Sequence, residues 1–131
     1  MRIQVKDFMS SPVKTAVPQT TVKEIRKLMA DNSIHAVPIV EYSKQLPNMD
    51  VTIKGVVSSS DLSQKIGSKK CVEDVMSKMV HIAHPDSSAQ AAANMMLKHH
   101  VHHIVVMEDG KITGMISSMD FVKLVAEHSL D

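Results

Sequence analysis

Apolar residues recur at helical spacing in two separate stretches, which predicts two amphipathic helices. The apolar positions of the first stretch are Val22, Ile25, Leu28 and Met29, and those of the second are Ala89, Ala92, Met96 and Leu97. Thr21 and Glu24 form a capping box that opens the first helix, and Ser87 and Gln90 offer an equivalent box for the second. The two helices are therefore expected to be structural counterparts.

Short runs rich in β-branched residues follow each predicted helix and predict strands. The runs cover residues 36–40, 51–57, 104–107 and 111–116. Asp109 and Gly110 separate the last two runs, and Asp-Gly is a strong hairpin signal because both positions tolerate positive φ. Turn-forming residues within 42–54 indicate a surface loop inserted between the first two runs. Each half of the chain is thus expected to contain one antiparallel strand pair.

A last helix is predicted at the end of each half. It begins near Ser59 in the first half and near Ser118 in the second. The residues expected to face inward are Leu62 and Ile66 in the first helix, and Phe121, Leu124 and Val125 in the second. Both halves therefore have the element order of a small α+β unit.

The two halves are copies of one another, because the same residue types recur at a constant offset. Val5, Asp7, Met9, Ser10, Val13 and Pro18 recur as Val72, Asp74, Met76, Ser77, Val80 and Pro85, and Gly55, Ser58, Ser59 and Asp61 recur as Gly114, Ser117, Ser118 and Asp120. A single copy of about 60 residues is marginal for an independent core. We therefore expect copy 1 (residues 1–67, with the insertion at 42–54) and copy 2 (residues 68–131) to form one compact module.

Composition and charge argue against several other kinds of protein. The net charge is +1 and the charged residues are spread along the chain, which argues against nucleic acid as the main partner. No apolar run approaches the roughly 18 residues that span a bilayer, and the N-terminus lacks the apolar core of a signal peptide. The single cysteine, Cys71, makes no internal disulfide. We expect a cytoplasmic protein without a membrane partner.

The element order β-α-β-β-α and three motifs in each copy resemble the cystathionine-β-synthase-type (CBS) domain. Copy 1 has Val-x-Asp-x-Met-Ser at 5–10, Ile-His-Ala-Val-Pro-Ile-Val at 34–40 and Gly-Val-Val-Ser-Ser-Ser-Asp at 55–61, and copy 2 has matching motifs at 72–77, 101–107 and 114–120. The resemblance implies a tandem pair, or Bateman module, with two α+β repeats packed through their small sheets about a pseudo-twofold axis. It also implies homodimers and clefts that bind adenosine-containing ligands such as AMP, ADP, ATP or S-adenosylmethionine, with no required cofactor.

The chemistry of the clefts also follows from the residues. Ser58 ends a predicted strand and Asp61 lies three residues later, at the opening of a helix whose first amides favour a phosphate. A carboxylate there suits the vicinal hydroxyls of a ribose. Ser117 and Asp120 repeat the arrangement, but only the first turn has an extra hydroxyl, Ser60, so we expect the Asp61 cleft to take a phosphorylated ligand first. Ser and Asp at such a turn are also ordinary helix caps, and both roles can coexist.

The resemblance to CBS domains implies that each cleft combines the Ser and Asp of one copy with the first two strands of the other. The first predicted cleft comprises Ser58, Ser60, Asp61, His81, Val101, His102 and His103. The second comprises Lys14, Ile34, His35, Ala36, Ser117 and Asp120. Gly55 and Gly114 lack side chains and predict a cleft floor that stays open to backbone or ligand.

Other functions are weighed against this one. Eight histidines raise the question of a metal site, but His102 and His103 are adjacent on a predicted strand and point to opposite faces, so no metal is predicted. The repeat uses nearly every residue from Val5 to Val125, so we predict a regulatory, non-catalytic module that signals energy or metabolite state to a partner.

Two questions stay open in the sequence. The alternative function is a protein-interaction or dimerisation module whose clefts are vestigial. The chain could also be a fragment of a larger transporter or enzyme, although Met1 and the short tail favour a free-standing protein. The identity of the ligand and of the partner is not written in the sequence.

Overall fold

The computed structural model describes residues 2–42, 51–62 and 66–128. Contacts divide the chain into two compact units. We call residues 14–80 the central unit and residues 1–13 together with 81–131 the terminal unit. No helix in the described part of the chain combines the length and apolar character needed to cross a membrane.

The central unit is built on one helix and one hairpin. Helix α1 is Val22–Asn32, and strands β1 (Ala36–Tyr42) and β2 (Val51–Ser58) pair antiparallel. The predicted capping box of α1 is confirmed, because Thr21 Oγ1 accepts from the Glu24 amide at 3.2 Å and Glu24 Oε1 accepts from the Thr21 amide at 3.5 Å. The predicted insertion at 42–54 is shorter than expected at both ends, since the strands extend into it; its remainder lies outside the described residues.

The terminal unit has one more strand and one more helix than the central unit among the described residues. Its elements are β3 (Ile82–Ala83), α2 (Ala89–His99), β4 (His103–Glu108), β5 (Lys111–Ser117) and α3 (Ser118–Glu127). The sheet order is β3-β4-β5, with β3 parallel and β5 antiparallel to β4. Asp109 and Gly110 have φ of 53° and 75°, which confirms the predicted hairpin turn.

The last helix of copy 1 appears as a short 3₁₀ turn, Ser59–Leu62, within the described residues. Leu62 is buried and Ile66 packs against the core, as the sequence predicts. The predicted continuation of this helix at 63–65 lies outside the described residues.

Each unit contains the Asp-x-Met-Ser segment of one copy and the hairpin of the other. In the terminal unit, Ser10 and Met115 exchange backbone hydrogen bonds of 2.9 and 3.0 Å. In the central unit, Ser77 and Val56 exchange two bonds of 2.9 Å. The N-terminal segment of each copy therefore completes the fold of the unit that holds the other copy's sheet.

Gly55 and Gly114 are needed where these segments cross the hairpins. A Cβ on Gly55 would lie 2.6 Å from both Met76 Sδ and the Ser77 carbonyl oxygen, and a Cβ on Gly114 would collide with the Met9 side chain. The expectation that these glycines leave an open cleft floor is wrong, because methionine side chains fill the space. Close approach by the backbone, the other part of that prediction, is confirmed.

Three predictions about the helices are wrong for local reasons. Ser88 caps α2 by accepting from the Ala91 amide at 3.0 Å, whereas the Ser87 hydroxyl accepts from the His84 amide at 3.2 Å in the preceding turn. Leu97 is 74% exposed and Val125 is 52% exposed. Leu97 follows the buried Met96 by one position, and Val125 follows the half-buried Leu124 in the same way. One position rotates a side chain about 100° around the helix, so both side chains turn towards the solvent.

The two cores use matching positions of the repeat. The buried cluster of the central unit is Val22, Ile25, Met29, Val37, Ile39, Val57, Leu62 and Val72. The buried cluster of the terminal unit is Val5, Ala83, Ala92, Met96, Ile104, Val106 and Ile116. Val5 thus occupies in one unit the place that Val72, its counterpart in the repeat, occupies in the other.

Candidate ligand-binding site

The Ser58 turn brings three predicted site residues together at the end of β2. Asp61 Oδ2 accepts from the Ser58 amide at 2.8 Å and from the Ser58 hydroxyl at 3.1 Å. Ser60 Oγ lies 2.8 Å from Ser58 Oγ. The carboxylate therefore orders the strand-to-helix turn through one oxygen, and two hydroxyls surround it.

The Ser117 turn has the same role at the end of β5, with a different hydrogen-bond pattern. Asp120 Oδ2 accepts from the Ser117 amide at 2.7 Å, while Ser117 Oγ accepts from the Asp120 amide at 3.3 Å and so caps α3. The hydroxyl accepts in this turn, whereas in the first turn it donates to the carboxylate. Met119, at the position of Ser60, is 58% exposed and adds no hydroxyl.

His35 lies beside the turn of its own copy. The Ser59 amide donates to the His35 carbonyl at 2.8 Å, and His35 Nδ1 lies 3.2 Å from Ser59 Oγ. In copy 2, the Ser118 amide donates to the His102 carbonyl at 3.0 Å and His103 pairs with Ser117. In both copies the segment before the first hairpin strand is joined to the turn after the second.

A groove of about 460 Å³ opens in the central unit at the end of α1. It is lined by Met29, Ala30, Ser33, Ile34, His35 and Ser59. Helix α1 has no basic residue in its last turn, so the partial negative charge of its C-terminus is not balanced there and favours hydrogen-bond donors. Ile34 and His35 were predicted site residues; Met29, Ala30 and Ser33 were not.

The remaining predicted residues occupy three kinds of position. Lys14 is exposed, Ala36 is buried at the start of β1, and Val101 packs against the terminal core. His102 is exposed and lies in a bend of the chain before β4, which begins at His103. The prediction that His102 belongs to a strand is therefore wrong. Each predicted cleft combines residues of the central unit with residues of the terminal unit. This combination stays a prediction.

His81 makes a contact that the sequence did not predict. Its ring stacks on that of His99, with centroids 4.3 Å apart and planes at 25°. His81 Nε2 is buried and has no hydrogen-bond partner among the described residues. Desolvation, His81 and Lys98 each lower the pKa of His99 below its ordinary value. Among residues 2–42, 51–62 and 66–128, no three His, Cys, Asp or Glu side chains are grouped to hold a metal ion.

Comparison with known proteins agrees with this architecture. The protein MJ1232 of Methanocaldococcus jannaschii is 31% identical over 95% of this chain, and the L-aspartate semialdehyde sulfurtransferase of the same organism is 28% identical over 92%. The chain covers only 40% and 23% of the lengths of these two relatives.

One solved structure matches this chain along nearly the full length of both proteins. It is the CBS domain pair of protein MJ0100 in complex with 5′-methylthioadenosine and S-adenosyl-L-methionine, which is 26% identical with a TM-score of 0.81 and covers 97% of this chain and 98% of its own. This likeness confirms the predicted α+β fold with small sheets. The family model of the CBS domain matches residues 5–68 and 72–127, and the chain therefore belongs to the CBS domain family as a tandem pair.

Proposed function

We propose that this chain is a regulatory, non-catalytic module that binds an adenosine-containing ligand and signals its presence to a partner in the cytoplasm. The observation that carries the proposal is the Ser and Asp turn that is built twice, at Ser58 with Asp61 and at Ser117 with Asp120. Each turn presents a carboxylate whose position is set by a short hydrogen bond to the backbone. A preordered acceptor of this kind suits the paired hydroxyls of a ribose.

The complex formed by MJ0100 supports the ligand class, because both molecules named in it contain adenosine. This chain covers only 23% of the L-aspartate semialdehyde sulfurtransferase, so a catalytic domain of that enzyme can lie outside the matched region. We propose that copies 1–67 and 68–131 act as the two repeats of the sensor and that each cleft combines both copies.

Within each carboxylate, the two oxygens have different roles in this proposal. Oδ2 of Asp61 and Oδ2 of Asp120 hold the turns. Oδ1 is the atom that we assign to the ribose hydroxyls, since one carboxylate offers several acceptor positions. Capping and ligand binding are then compatible in a single residue.

The first cleft is the better candidate for a phosphorylated ligand. Ser58 and Ser60 place two hydroxyls next to Asp61, and hydroxyls donate to phosphate oxygens; Ser58 does so by turning its O–H away from the Asp61 carboxylate. At the second turn the Ser117 oxygen accepts from the Asp120 amide and keeps its O–H as a donor, but Met119 replaces the second hydroxyl. We therefore propose that nucleotides prefer the first cleft and that a ligand without phosphate, such as 5′-methylthioadenosine, is tolerated in the second.

Calorimetry and thermal unfolding test the proposal with AMP, ADP, ATP, S-adenosylmethionine and 5′-methylthioadenosine. A ligand at about 100 times its dissociation constant stabilises a protein by about 2.7 kcal/mol. Asp61→Asn and Asp120→Asn keep an oxygen acceptor for the turn and remove the carboxylate. We expect each substitution to remove binding at its own cleft, with Asp61→Asn abolishing the response to nucleotides.

Asp7→Asn is the matched control. Asp7 Oδ2 accepts from the Gln4 amide at 2.8 Å, so it has the same local structural role as the two site carboxylates but lies outside both predicted clefts. We expect this variant to bind ligand as the wild type does. If no compound binds the wild type, or if Asp7→Asn weakens binding as much as the site variants, the ligand-binding proposal is wrong.

The second candidate function, an interaction or dimerisation module, is favoured by one observation. Helix α3 leaves Met119, Val122 and Val125 between 52% and 59% exposed, and the resemblance to CBS pairs implies a homodimer. Apolar surface of this kind is typical of regions that another chain covers. Sedimentation of the same samples separates the two functions: a dimer that forms without any ligand response favours this candidate.

A further inference from the structure

The terminal unit contains a stacked pair of histidine rings, whereas the sequence of the central unit has a single histidine, His35. His81 precedes β3 and His99 is the last residue of α2, so their stack joins the end of the helix to the beginning of the sheet. The positions that correspond in copy 1 are Lys14 and Asn32. Lys14 is exposed, and Asn32 donates to the Leu28 carbonyl of its own helix at 2.8 Å.

The surroundings of the stack disfavour a second positive charge. Lys98 lies next to His99 on α2, and His100 follows as the helix C-cap with φ of 53°. The neighbouring segments also carry Lys78 before His81, His102 and His103 at the entry to β4, and His84 and Asp86 after β3. Asp86 is bonded to Lys6 at 3.0 Å. The interactions that act on His99 all favour its neutral ring.

One nitrogen of the pair has no partner while the rings are stacked. His81 Nε2 is enclosed and lacks a hydrogen-bond partner among the described residues. A buried N–H without an acceptor is costly, and a charged ring in that place is more so, because the lost hydration is not replaced. When the stack opens, the enclosed nitrogen can therefore reach a hydrogen-bond partner in water.

We propose that the stack of His81 and His99 is a proton-operated latch, closed while the His99 ring is neutral and opened when that ring becomes charged. Desolvation, His81 and Lys98 all act against a charge on the His99 ring, whose centroid lies 4.3 Å from that of His81. Opening releases the end of α2 from the segment that enters β3. The same segment is bonded to β4 through the Val105 amide, which donates to the His81 carbonyl at 3.0 Å, and opening is expected to weaken this bond.

The direction of the pH dependence follows from His99. Its pKa is lowered below 6.5 in the folded protein, so the unfolded chain binds more protons between the two values. The contribution of the latch to stability is complete above about pH 6.5 and is lost as the pH falls through the lowered pKa of His99. His99 stays exposed, so the effect on global stability is small, and the local opening is the quantity to measure.

Nuclear magnetic resonance of the full, ligand-free chain between pH 5 and 8 tests the latch. We expect the His99 ring to titrate below pH 6.5, and the cross-peak between the two rings to vanish with the same midpoint. Protection of the Val105 amide from hydrogen exchange should fall in parallel. A cross-peak that persists to pH 5 while His99 titrates would overturn the proposal.

Two variants separate the charge from the contact. His81→Phe keeps an aromatic ring and removes the proton site, so the His99 midpoint should rise towards 6.5 and the contact should survive at pH 5. His128→Asn, on the far end of α3, is the control and should leave the His99 midpoint unchanged. A midpoint that does not move in His81→Phe would contradict the latch; if that variant does not fold, the Val105 exchange profile of the wild type decides.

A consequence for ligand binding rests on the proposed function, because His81 and His102 belong to the first predicted cleft. Opening of the latch is then expected to change the affinity for AMP between pH 7.5 and 5.5, and His99→Asn should reduce that change at least twofold. A latch that titrates in a chain that binds no AMP would sustain the latch and reject only this coupling. Binding with the same pH dependence in His99→Asn would also reject the coupling.

Discussion

The two units fill the same positions of the repeat with different side chains. In the central unit, α1 buries Val22 and Ile25 completely. The corresponding residues of α2 are Ala89 and Ala92, which are much smaller. The helix of the terminal unit therefore contributes less volume to its core.

Aromatic residues restore that volume in the terminal unit. Phe8 and Phe121 pack edge to face, with ring centroids 5.0 Å apart and planes at 66°. Their counterparts in the central unit are the smaller Val75 and Leu62. Protein interiors are filled to the density of organic crystals, so a loss of volume at one position has to be met at another in contact with the same core.

Polar positions show no such compensation. His81 and His99 stack on one another, whereas Lys14 and Asn32 do not substitute for them in the central unit. Lys98 and His99 also place basic groups at the end of α2, while the last turn of α1 has none. The comparison teaches that core volume is restored within each unit, whereas the polar rims of the two units are free to differ in charge.

The largest effect is expected from exchanging the helix residues of the two cores. Ile25→Ala, which gives α1 the residue of α2, should lower the free energy of unfolding by about 3 kcal/mol, because no aromatic pair fills the cavity. Ala92→Ile overfills the terminal core and should cost about 1–3 kcal/mol. Phe121→Leu in the same chain as Ala92→Ile should recover part of that loss. Urea unfolding measures all three variants. A double variant that is no more stable than Ala92→Ile alone would break the compensation argument.

A smaller effect is expected where the Asp-x-Met-Ser segments cross the hairpins. Gly55→Ala should cost about 2 kcal/mol, because its Cβ meets the rigid Ser77 carbonyl oxygen at 2.6 Å. Gly114→Ala should cost about 1 kcal/mol, since the nearest atoms belong to the Met9 side chain, which can rotate, and the Ser10 oxygen is 3.1 Å away. Gly67→Ala is the control, with no described atom within 4 Å of the new Cβ. Equal melting temperatures for Gly55→Ala and Gly67→Ala would contradict the crossing.

The smallest effect concerns the cap of α2. Ser88→Ala removes the acceptor of the Ala91 amide and should cost about 1 kcal/mol. Thr21→Ala should cost about the same in the central unit, where the cap is part of a reciprocal box. Chemical denaturation of both variants measures the two values. If Ser87→Ala lowers the free energy of unfolding more than Ser88→Ala does, Ser87 is the cap of α2, as the sequence predicts.

Predictions that depend on neighbours along the chain agree with the structure. Thr21 and Glu24, the Asp109–Gly110 turn and the pairing of Ser58 with Asp61 each involve residues no more than three positions apart. Their geometry is set by local backbone conformation, so spacing alone identifies them. The cap at Ser87 failed although it is local, because the His84 amide competes for the same hydroxyl.

The sequence by itself determined the repeat, helices α1, α2 and α3, the two hairpins, and the two turns that carry Ser58 with Asp61 and Ser117 with Asp120. Only the tertiary structure decided that the N-terminal segment of each copy completes the other copy's unit. It also decided that Met9 fills the space beside Gly114 and that His99 stacks on His81. Met9 is 105 residues from Gly114, and no pattern of neighbouring residues encodes such a contact. These choices depend on packing, where side chains distant in sequence compete for one volume, and the best-filled arrangement prevails.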